Sequence, residues 1–348
     1  MNKISSLSIE NFTVFKKNTI EFSPGLNVLI GKNGTGKTHL LKIIYSLLKS
    51  HRDWEKAEAD FCGVFKVNTR LELLRKVDLT KNVAKSILYS GNVKLNLKNS
   101  DWIFFPIDPQ KKSLPAVTSA AATRKPPLFI DSLYIPPQEM LSIFDGFIAS
   151  WEKRENSFDE TYYDLAKALS LSPLKDTKLL DDLISPLERI LNAKVLRENG
   201  RFYLEYEWGK IEAHLVAEGL RKLSQLIYLI GNGSINENTV LLWDEPEVHF
   251  NPSLIEAIVV LLRSLVDKGL QIFITTHDYL LSQRLSLIGE YENSQFPIKF
   301  FCLENVGDKG IKIEEGTTLA EIKDNPILNE FAEYYDFERA AFNKSSKV

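Results

Sequence analysis

Cysteine is scarce in this sequence, which has only Cys62 and Cys302 among its 348 residues. The two lie far apart and do not have the close spacing that metal-binding cysteine pairs use. A disulfide-stapled fold and a cysteine-based zinc site are therefore excluded as the basis of this protein. We expect two reduced thiols in the core of a cytoplasmic protein.

Long hydrophobic runs are also missing. The most apolar segments, LIEAIVVLLRSLV and LSQLIYLIG, are too short to cross a bilayer or carry charge. The N-terminus, MNKISSLSIENF, has no apolar core of the signal-peptide type. These absences predict a cytoplasmic location and no membrane partner.

An excess of charge of one sign is absent as well, because 43 basic residues face 46 acidic ones and leave a net charge of −3. This balance excludes a strongly basic nucleic-acid-binding chain, but it leaves room for a local patch that contacts DNA or RNA. Two groups of basic residues are candidates for such a patch, and a solvated surface is the alternative. They are Arg70, Arg75, Lys76, Lys81 and Lys85, and Lys111, Lys112, Arg124 and Lys125.

What the sequence does contain is a set of buried strands alternating with amphipathic helices. The segments KISSLSIENF, KNTIEF and GLNVLIG predict three strands, the last of them buried on both faces. A glycine-rich turn follows, and KTHLLKIIYSLLKSH then repeats apolar residues with the helical period. Further buried strands are predicted at LFIDSLYIPP, NTVLLWDEP and QIFITTHD. The pattern is typical of an α/β protein with a central sheet.

The middle of the chain has a different pattern. Residues 52–80 and 138–193 predict helices, SILYSGNVKLNLKNSDWIFFPI predicts strands, and KVLRENGRFYLEYEWGKIEAHLV predicts a strand series with two turns. PQKKSLPAVTSAAATRKPP is small, polar and rich in proline, which predicts a mobile loop. In NPSLIEAIVVLLRSLVDKG, Asn251 would cap a helix that starts with Pro252 and ends before Gly269.

The segment GKNGTGKT matches the phosphate-binding pattern G-x-x-x-x-G-K-[ST]. It lies between a buried strand and an amphipathic helix, which is the context that the pattern requires. Its glycines let backbone N–H groups surround a β-phosphate, and the helix N-terminus adds a positive dipole. The predicted binding residues are Gly31, Asn33, Gly34, Thr35, Gly36, Lys37 and Thr38. Lys37 would reach the β- and γ-phosphates of ATP, and Thr38 would offer its hydroxyl to Mg²⁺.

Two later strands end in residues suited to the same chemistry. TVLLWDEPEVHF places Asp244 and Glu245 at the carboxyl end of a strand, where ligands sit in open α/β sheets. Asp244 would hold Mg²⁺ through water, and Glu245 would orient or deprotonate an attacking water. His277 ends the next buried strand and would hydrogen-bond a γ-phosphate. The predicted catalytic set is Glu245, His277 and Lys37.

These motifs resemble those of ABC-type ATPases related to RecF and to structural-maintenance-of-chromosomes (SMC) proteins. The resemblance lies in LSIENFTVFKKNTIEFSPGLNVLIGKNGTGKT. DEPEVHFNP and ITTHD are similar to the branch that contains the overcoming-lysogenisation-defect (OLD) ATPases and ATPase subunits of phage-defence systems. The implied fold is a P-loop ABC-ATPase head, with a mixed central sheet and flanking helices, that carries an inserted lobe of strands and helices.

The resemblance is strong over residues 1–50 and 205–305 and weak over the middle of the chain. It implies an ATPase head made of residues 1–51 and 205–315. Residues 52–204 would form the inserted lobe, and residues 316–348 a C-terminal helical tail.

The resemblance also implies a homodimer, or a higher even oligomer. Each ATP would be sandwiched between one subunit's P-loop and the partner's signature segment. By position, Gln138 in LYIPPQEM would be the Q-loop glutamine. It would open a helix and join Thr38 and Asp244 at the metal, with simple helix capping as the alternative.

The signature segment falls on LVAEGLRKLSQL, which departs from the family's pattern. Ala217 and Glu218 stand where a serine and a glycine are usual. Gly219 and Arg221 would then contact the partner's γ-phosphate. The departure suggests slow hydrolysis, and an ordinary helix is the alternative interpretation. For the adenine base, the candidates are Phe12, Phe15 and Lys16, with core packing as the alternative for the aromatic residues.

The function implied by the resemblance is slow hydrolysis of ATP to ADP and phosphate. The ATPase would gate or activate a separately encoded effector, a nuclease or a toxin, in prokaryotic anti-phage defence. OLD nucleases carry an acidic Toprim domain, for which the residues after His277 leave too little room. A RecF-like DNA-binding repair clamp is the alternative. The nucleotide subunit of a membrane transporter is a third class, which the IENF and DEPE segments disfavour.

Overall fold

The computed structural model describes residues 3–51, 53–75, 90–98, 101–111, 130–175, 180–292 and 296–345. The strands are β1 (Ile4–Phe12), β2 (Phe15–Glu21), β3 (Leu26–Gly31), β4 (Gly91–Leu97), β5 (Trp102–Ile107), β6 (Asp131–Ile135), β7 (Lys194–Glu198), β8 (Arg201–Tyr206), β9 (Gly209–Glu212), β10 (Thr239–Asp244), β11 (Gln271–Thr275), β12 (Ile298–Asn305) and β13 (Ile311–Gly316). The helices are α1 (Lys37–Ser50), α2 (Ala57–Phe65), α3 (Phe147–Glu152), α4 (Glu160–Ser170), α5 (Asp181–Leu191), α6 (Glu218–Gly231), α7 (Pro252–Asp267), α8 (Tyr279–Leu287) and α9 (Pro326–Ser345).

A six-stranded sheet in the order β13-β12-β3-β11-β10-β6 forms the centre of the structure. Its neighbouring strands run parallel, except that the edge strand β13 is antiparallel to β12. Every residue of β3, β10 and β11 is buried, as expected for parallel strands covered on both faces. The carboxyl ends of these three strands meet at one edge, where the P-loop and the two later motifs come together.

A second, antiparallel sheet has the order β2-β1-β4-β5. The apolar residues of α1 share one core with this sheet and with the central sheet, so α1 lies between the two. The strand β4, which the sequence places in the inserted lobe, is thus paired to the N-terminal strand β1, and β5 pairs with β4. This pairing ties the P-loop helix to the region that follows it.

A third sheet, β7-β8-β9, packs with α5 and α6 in a second core, which also includes residues of the central sheet. Its first turn has Asn199 and Gly200 with φ of 50° and 83°, the left-handed values that a tight hairpin needs. The predicted caps of α7 are also confirmed, because the Asn251 side chain accepts a hydrogen bond from the Ser253 N–H. Gly269 has a left-handed φ of 94° after the helix ends.

The predicted α/β architecture with a mixed sheet and flanking helices is confirmed. One helix prediction is wrong, because the chain after Gln138 forms turns and the next helix, α3, begins only at Phe147. The Glu139 side chain accepts from the Ser142 N–H and stabilises a turn there. Within the described ranges, no helix combines the length and the apolar character needed to cross a bilayer.

Several predictions fall on residues that the structure does not describe. Most of the predicted mobile loop lies outside the described residues, as do Lys76, Lys81, Lys85, Lys112, Arg124 and Lys125. Three members of the two basic groups are described, and each lies beside an oxygen atom of the same chain. Arg70 is buried and paired with Glu58, and Arg75 donates to the carbonyl of Asp308. Lys111 is exposed and lies 3.8 Å from a carboxylate oxygen.

Candidate nucleotide-binding and catalytic site

The P-loop joins β3 to α1 and has a backbone that only glycine adopts easily. Gly36 caps α1 with a left-handed φ of 94°. A Cβ atom at this position would lie 2.6 Å from Cγ2 of Val14, in the turn between β1 and β2. The loop is therefore pressed against that turn. Asn33 and Gly34 lie exposed at its tip, with their backbone free to approach a phosphate.

Lys37 is buried and points into the loop that precedes it. Its Nζ donates to the carbonyl oxygens of Gly31 at 2.7 Å and Lys32 at 3.1 Å. Thr35 donates to the same Lys32 oxygen and holds the loop closed. Burial lowers the pKa of Lys37, and the nearby carboxylate of Glu245 opposes that shift. An ammonium held in this ring of backbone groups is well placed to transfer its hydrogen bonds to phosphate oxygens.

Asp244 ends β10 and is held by three hydroxyl groups. Its Oδ1 accepts from Oγ1 of Thr38 at 3.1 Å and from Oγ1 of Thr275, while its Oδ2 accepts from the Tyr134 hydroxyl at 3.0 Å. The carboxylate is 2% exposed, so these bonds compensate for most of its lost hydration. Burial beside Asp244 also raises the pKa of Tyr134 far above its ordinary value, so Tyr134 stays a donor.

The paired oxygens of Thr38 and Asp244 fit the ligand preference of Mg²⁺. This ion takes hard oxygen ligands and is usually held by one or two protein oxygens together with water and phosphate. Bound there, it would neutralise charge on the β- and γ-phosphates. No group of three or more His, Cys, Asp or Glu side chains able to hold a metal occurs among the residues described.

Glu245 and His277 lie together beside the P-loop. His277 Nδ1 is 3.4 Å from Oε1 of Glu245, and both side chains are partly exposed. Glu245 has a left-handed φ of 49°, and its N–H donates to Thr275 Oγ1 at 3.0 Å. The two residues can therefore reach the same small volume of solvent. A carboxylate there can accept a proton from water, with the imidazole as its neighbour.

Gln138 is not part of this cluster. Its side chain is exposed, and within the described part of the chain it forms no hydrogen bond to Thr38 or Asp244. The predicted contribution of Gln138 to the metal is thus not supported by the geometry. Tyr134, four residues earlier on β6, occupies the place beside Asp244 instead.

Arg221 also differs from its predicted placement. Its Nε donates to Oε1 of Glu139 at 2.6 Å, and its guanidinium donates to the Val216 carbonyl. Glu139 is 1% exposed, and the Arg221 side chain 15%. If Arg221 moved away to bind a phosphate, the buried carboxylate of Glu139 would lose its charged partner. An unpaired buried charge destabilises the fold. The structure therefore gives Arg221 an internal role and does not support a contact with a partner's phosphate.

Gly219 lies in the first turn of α6, directly against the turn after β10. A Cβ atom at Gly219 would lie 2.7 Å from the carbonyl oxygen of His249. The His249 side chain returns to the same helix, with Nε2 3.3 Å from Oε1 of Glu218. The glycine in the signature position is thus explained by packing within one chain.

We expect Gly219→Ala to lower the free energy of unfolding by about 1–3 kcal/mol, the usual effect of overpacking against a rigid neighbour. Urea denaturation measures it. Gly231→Ala, at the other end of α6, is the matched control. A Cβ atom there would meet only Cδ1 of Ile184 at 3.8 Å, so this variant should be neutral or slightly stabilising. Equal effects of the two changes would contradict the close packing of Gly219.

A cavity of about 410 Å³ lies beyond the P-loop, between the β1–β2 turn and the start of α1. Thr13, Val14, His39, Phe65 and Arg75 are among its lining residues. Thr13 Oγ1 and His39 Nδ1 are both buried and have no hydrogen-bond partner among the described residues. The His39 ring contacts Phe65 edge to face, with centroids 5.5 Å apart. Its lining is mixed, because the polar side chains of Glu72, Arg75 and Asn305 join apolar ones.

Phe12 and Phe15, the predicted base contacts, are fully buried in the core, whereas Lys16 is exposed. The aromatic residues therefore pack as the alternative interpretation predicted.

Sequence reasoning missed several residues around this site. Tyr134 could have been found, because a strand ending in LYIPP next to β10 brings its tyrosine beside Asp244. Glu247 follows Glu245 by two positions, is buried, and accepts from Thr276 Oγ1 at 2.7 Å. Burial raises the pKa of Glu247. Lys222 and Glu139 gave no local signal, since their partners lie far away in the sequence.

Known proteins are similar to parts of this chain. Residues 2–125 match a family described as an AAA ATPase domain. The DNA replication and repair protein RecF of Lactobacillus acidophilus is 45% identical over 91 residues, which cover 25% of this chain and 24% of that protein. RecF of Staphylococcus haemolyticus is 46% identical over 52 residues, or 14% of each chain. The chain thus spans a quarter or less of the length of these curated relatives.

The fold is similar to that of solved SMC head domains. An SMC head bound to the C-terminal winged-helix domain of ScpA aligns with a TM-score of 0.56 at 15% identity, covering 90% of this chain and 98% of that one. The SMC head domain from Thermotoga maritima aligns with a TM-score of 0.51 at 12% identity, covering 90% and 99%. Residues 2–125 thus match an ATPase domain, and the fold is similar to that of SMC head domains. In sequence, a quarter of the chain is similar to RecF.

Proposed function

We propose that this chain is an ATP-binding and ATP-hydrolysing subunit that closes as a homodimer around two Mg²⁺-ATP and opens after slow hydrolysis. The observation that carries the proposal is the grouping of Lys37, Thr38, Asp244, Glu245 and His277 at one edge of the central sheet. Lys37 would hold the phosphates, Thr38 and Asp244 would hold Mg²⁺, and Glu245 would accept the proton of the attacking water.

The second half of the sandwich would come from a partner's α6. The N-terminus of this helix carries a positive dipole that favours an anion. Arg221 is bonded to Glu139 and does not add its charge to this end, which is consistent with slow turnover.

ATP recognition would extend from the P-loop into the cavity beside His39. Burial, followed by the charge of Lys42, lowers the pKa of His39, so its ring is neutral at neutral pH. A neutral imidazole has one acceptor nitrogen, which suits a base amino group or a ribose hydroxyl. Thr13 would supply a second hydrogen bond from the opposite wall.

We expect His39→Ala to weaken ATP binding about threefold to tenfold, the worth of one hydrogen bond, without changing the affinity for inorganic triphosphate. Competition against a fluorescent nucleotide measures both ligands. His214→Ala, which removes a half-exposed histidine in the turn after β9, is the control. An equal loss for both ligands would place His39 on the phosphates and not on the nucleoside.

The output of the dimer would be control of DNA, as in a RecF-like clamp. The similarity to RecF over the P-loop region supports this choice. A second candidate is the gating of a separately encoded effector in anti-phage defence. It is favoured by α9, which exposes five aromatic side chains, a surface typical of protein contacts. They are Phe331, Tyr334, Tyr335, Phe337 and Phe342, each more than half exposed.

Light scattering of the purified chain tests the proposal. ATP should convert a monomer into a dimer, and ADP should not. The same samples are then titrated with duplex DNA at fixed salt. ATP-dependent DNA binding would support the clamp, whereas ATP-dependent dimerisation without DNA binding would favour the effector. A chain that stays monomeric with ATP would contradict the sandwich.

A further inference from the structure

Lys222 on α6 is a buried lysine that lies beneath residues 245–249, the turn that begins with Glu245. Lys222 is 2% exposed, although the stretch before it, VAEGLR, contains two charged residues and suggests an exposed position. Its Nζ donates to the carbonyl oxygen of Val248 at 2.9 Å and to that of Glu245 at 3.2 Å. The ammonium also lies 5.9 Å from the ring centre of Phe250. A buried charge whose hydrogen bonds go to backbone carbonyls holds that backbone firmly.

The backbone that Lys222 holds is strained. Glu245 has a left-handed φ, which costs on the order of 1 kcal/mol or more for a residue with a side chain. Three hydrogen bonds fix it, because the Glu245 N–H donates to Thr275 and its carbonyl accepts from Lys222 and from the Val248 N–H. The direction of the Glu245 carboxylate depends on this conformation. It is the conformation that brings the carboxylate to His277.

The same helix contacts the turn at other points. Gly219 approaches the His249 carbonyl, and Glu218 lies near the His249 ring. His249 is itself left-handed, with φ of 69°. The start of α6 and residues 245–249 therefore form one packed unit, with Lys222 at its centre.

We infer that Lys222 is a positioning residue for ATP hydrolysis, which holds Glu245 in its left-handed conformation by bonding to the Glu245 and Val248 carbonyl groups. The inference rests on the proposed function, since it assumes that Glu245 is the base. Lys222 itself does not touch the nucleotide. Its effect is therefore expected on kcat and not on ATP binding.

Lys222→Met keeps the length and the apolar stem of the side chain but removes the ammonium. We expect kcat to fall at least tenfold and the Kd for ATP to stay within about threefold. Phosphate release and equilibrium binding of a fluorescent ATP analogue measure the two quantities. Lys268→Met, at the end of α7, is the matched control and should leave both unchanged.

The pH dependence of the unaltered chain gives a second test that needs no variant. Burial lowers the pKa of Lys222 to about 8, and the acidic groups that face it raise it only in part. Those groups are Glu247, Glu218, Glu245 and Asp244, with His249 on the same turn. Above pH 8 the Lys222 amine loses its charge, so its hydrogen bonds to the Glu245 and Val248 carbonyl oxygens become weaker. We expect kcat to fall as pH rises through about 8, and Lys222→Met to lack this fall.

The contribution of Lys222 to the free energy of unfolding should rise over the pH range in which kcat falls. Between about pH 8 and the ordinary lysine pKa of 10.5, the unfolded chain binds a proton that the folded chain has lost at Lys222. Because stability rises with pH wherever the unfolded state binds more protons, the Lys222 contribution to folding grows in this window. If turnover were lost because the protein unfolds, stability would instead fall as the pH rises. Comparing urea midpoints of the wild type and Lys222→Met at pH 7.5 and pH 9.5 separates the two.

The outcomes distinguish this inference from the proposed function. If the wild type hydrolyses no ATP, the proposed function fails, and the inference fails with it. If the wild type is active and Glu245→Gln is not, the proposed function stands. In that case a Lys222→Met kcat within twofold of the wild type, or a wild-type kcat that is flat from pH 7 to pH 9.5, would overturn the role of Lys222.

Discussion

Replacing Glu245 with glutamine is expected to reduce kcat for ATP hydrolysis by about 100-fold or more and to leave ATP binding within about threefold. General-base contributions of this kind are worth about 100-fold to 10,000-fold. Glutamine keeps the shape and the left-handed backbone but cannot accept a proton from water. The variant should therefore bind Mg²⁺-ATP and accumulate as the closed dimer. Phosphate release measures the rate, and light scattering with ATP measures the dimer.

The matched control for this change is Glu237→Gln. Glu237 is exposed in the turn before β10, eight residues from Glu245, so the substitution has the same chemistry outside the site. Its rate should equal that of the wild type. If Glu245→Gln hydrolyses ATP at the wild-type rate, Glu245 is not the base, and its 3.4 Å contact with His277 has another purpose.

Replacing Lys37 with alanine is expected to weaken ATP binding by about 10-fold to 150-fold, which corresponds to about 1.5–3 kcal/mol for hydrogen bonds made by a charged group. The buried ammonium already donates to two carbonyl oxygens of the loop. Phosphate oxygens would take over these bonds. Isothermal titration with ATP in the presence of Mg²⁺ measures the loss.

Lys32→Ala provides the comparison for Lys37→Ala. Lys32 belongs to the same loop, but its side chain is exposed. Its removal should change the affinity for ATP less than about threefold, because a solvated charge contributes little. Similar losses for both variants would mean that general positive charge, and not the position of Lys37, holds the nucleotide.

The parts of the site that lie next to one another in sequence could be predicted well. The P-loop is defined by eight consecutive residues and its flanking elements. Asp244, Glu245 and His277 each follow a buried strand. Parallel strands carry such residues to one edge of the sheet, and the structure brings them together there.

The parts that depend on distant contacts could not be predicted. The amphipathic pattern of α6 suggests one buried face, but the helix packs on more than one side and buries Lys222 as well. Nothing local in the sequence shows that Arg221 will pair with Glu139, which lies 82 residues away. The prediction of a helix at Gln138 is wrong for a local reason, since a turn stabilised by Glu139 precedes α3.

The position of β3 in the central sheet has a consequence for how the protein is made. This strand carries the P-loop, yet its two neighbours, β11 and β12, come from the last quarter of the chain. A ribosome would therefore release the apolar strand long before either neighbour exists. Pairing over such a sequence distance slows folding and leaves the strand exposed to aggregation or chaperones. The nascent chain should gain the ability to bind ATP only after β11 and β12 have been synthesised.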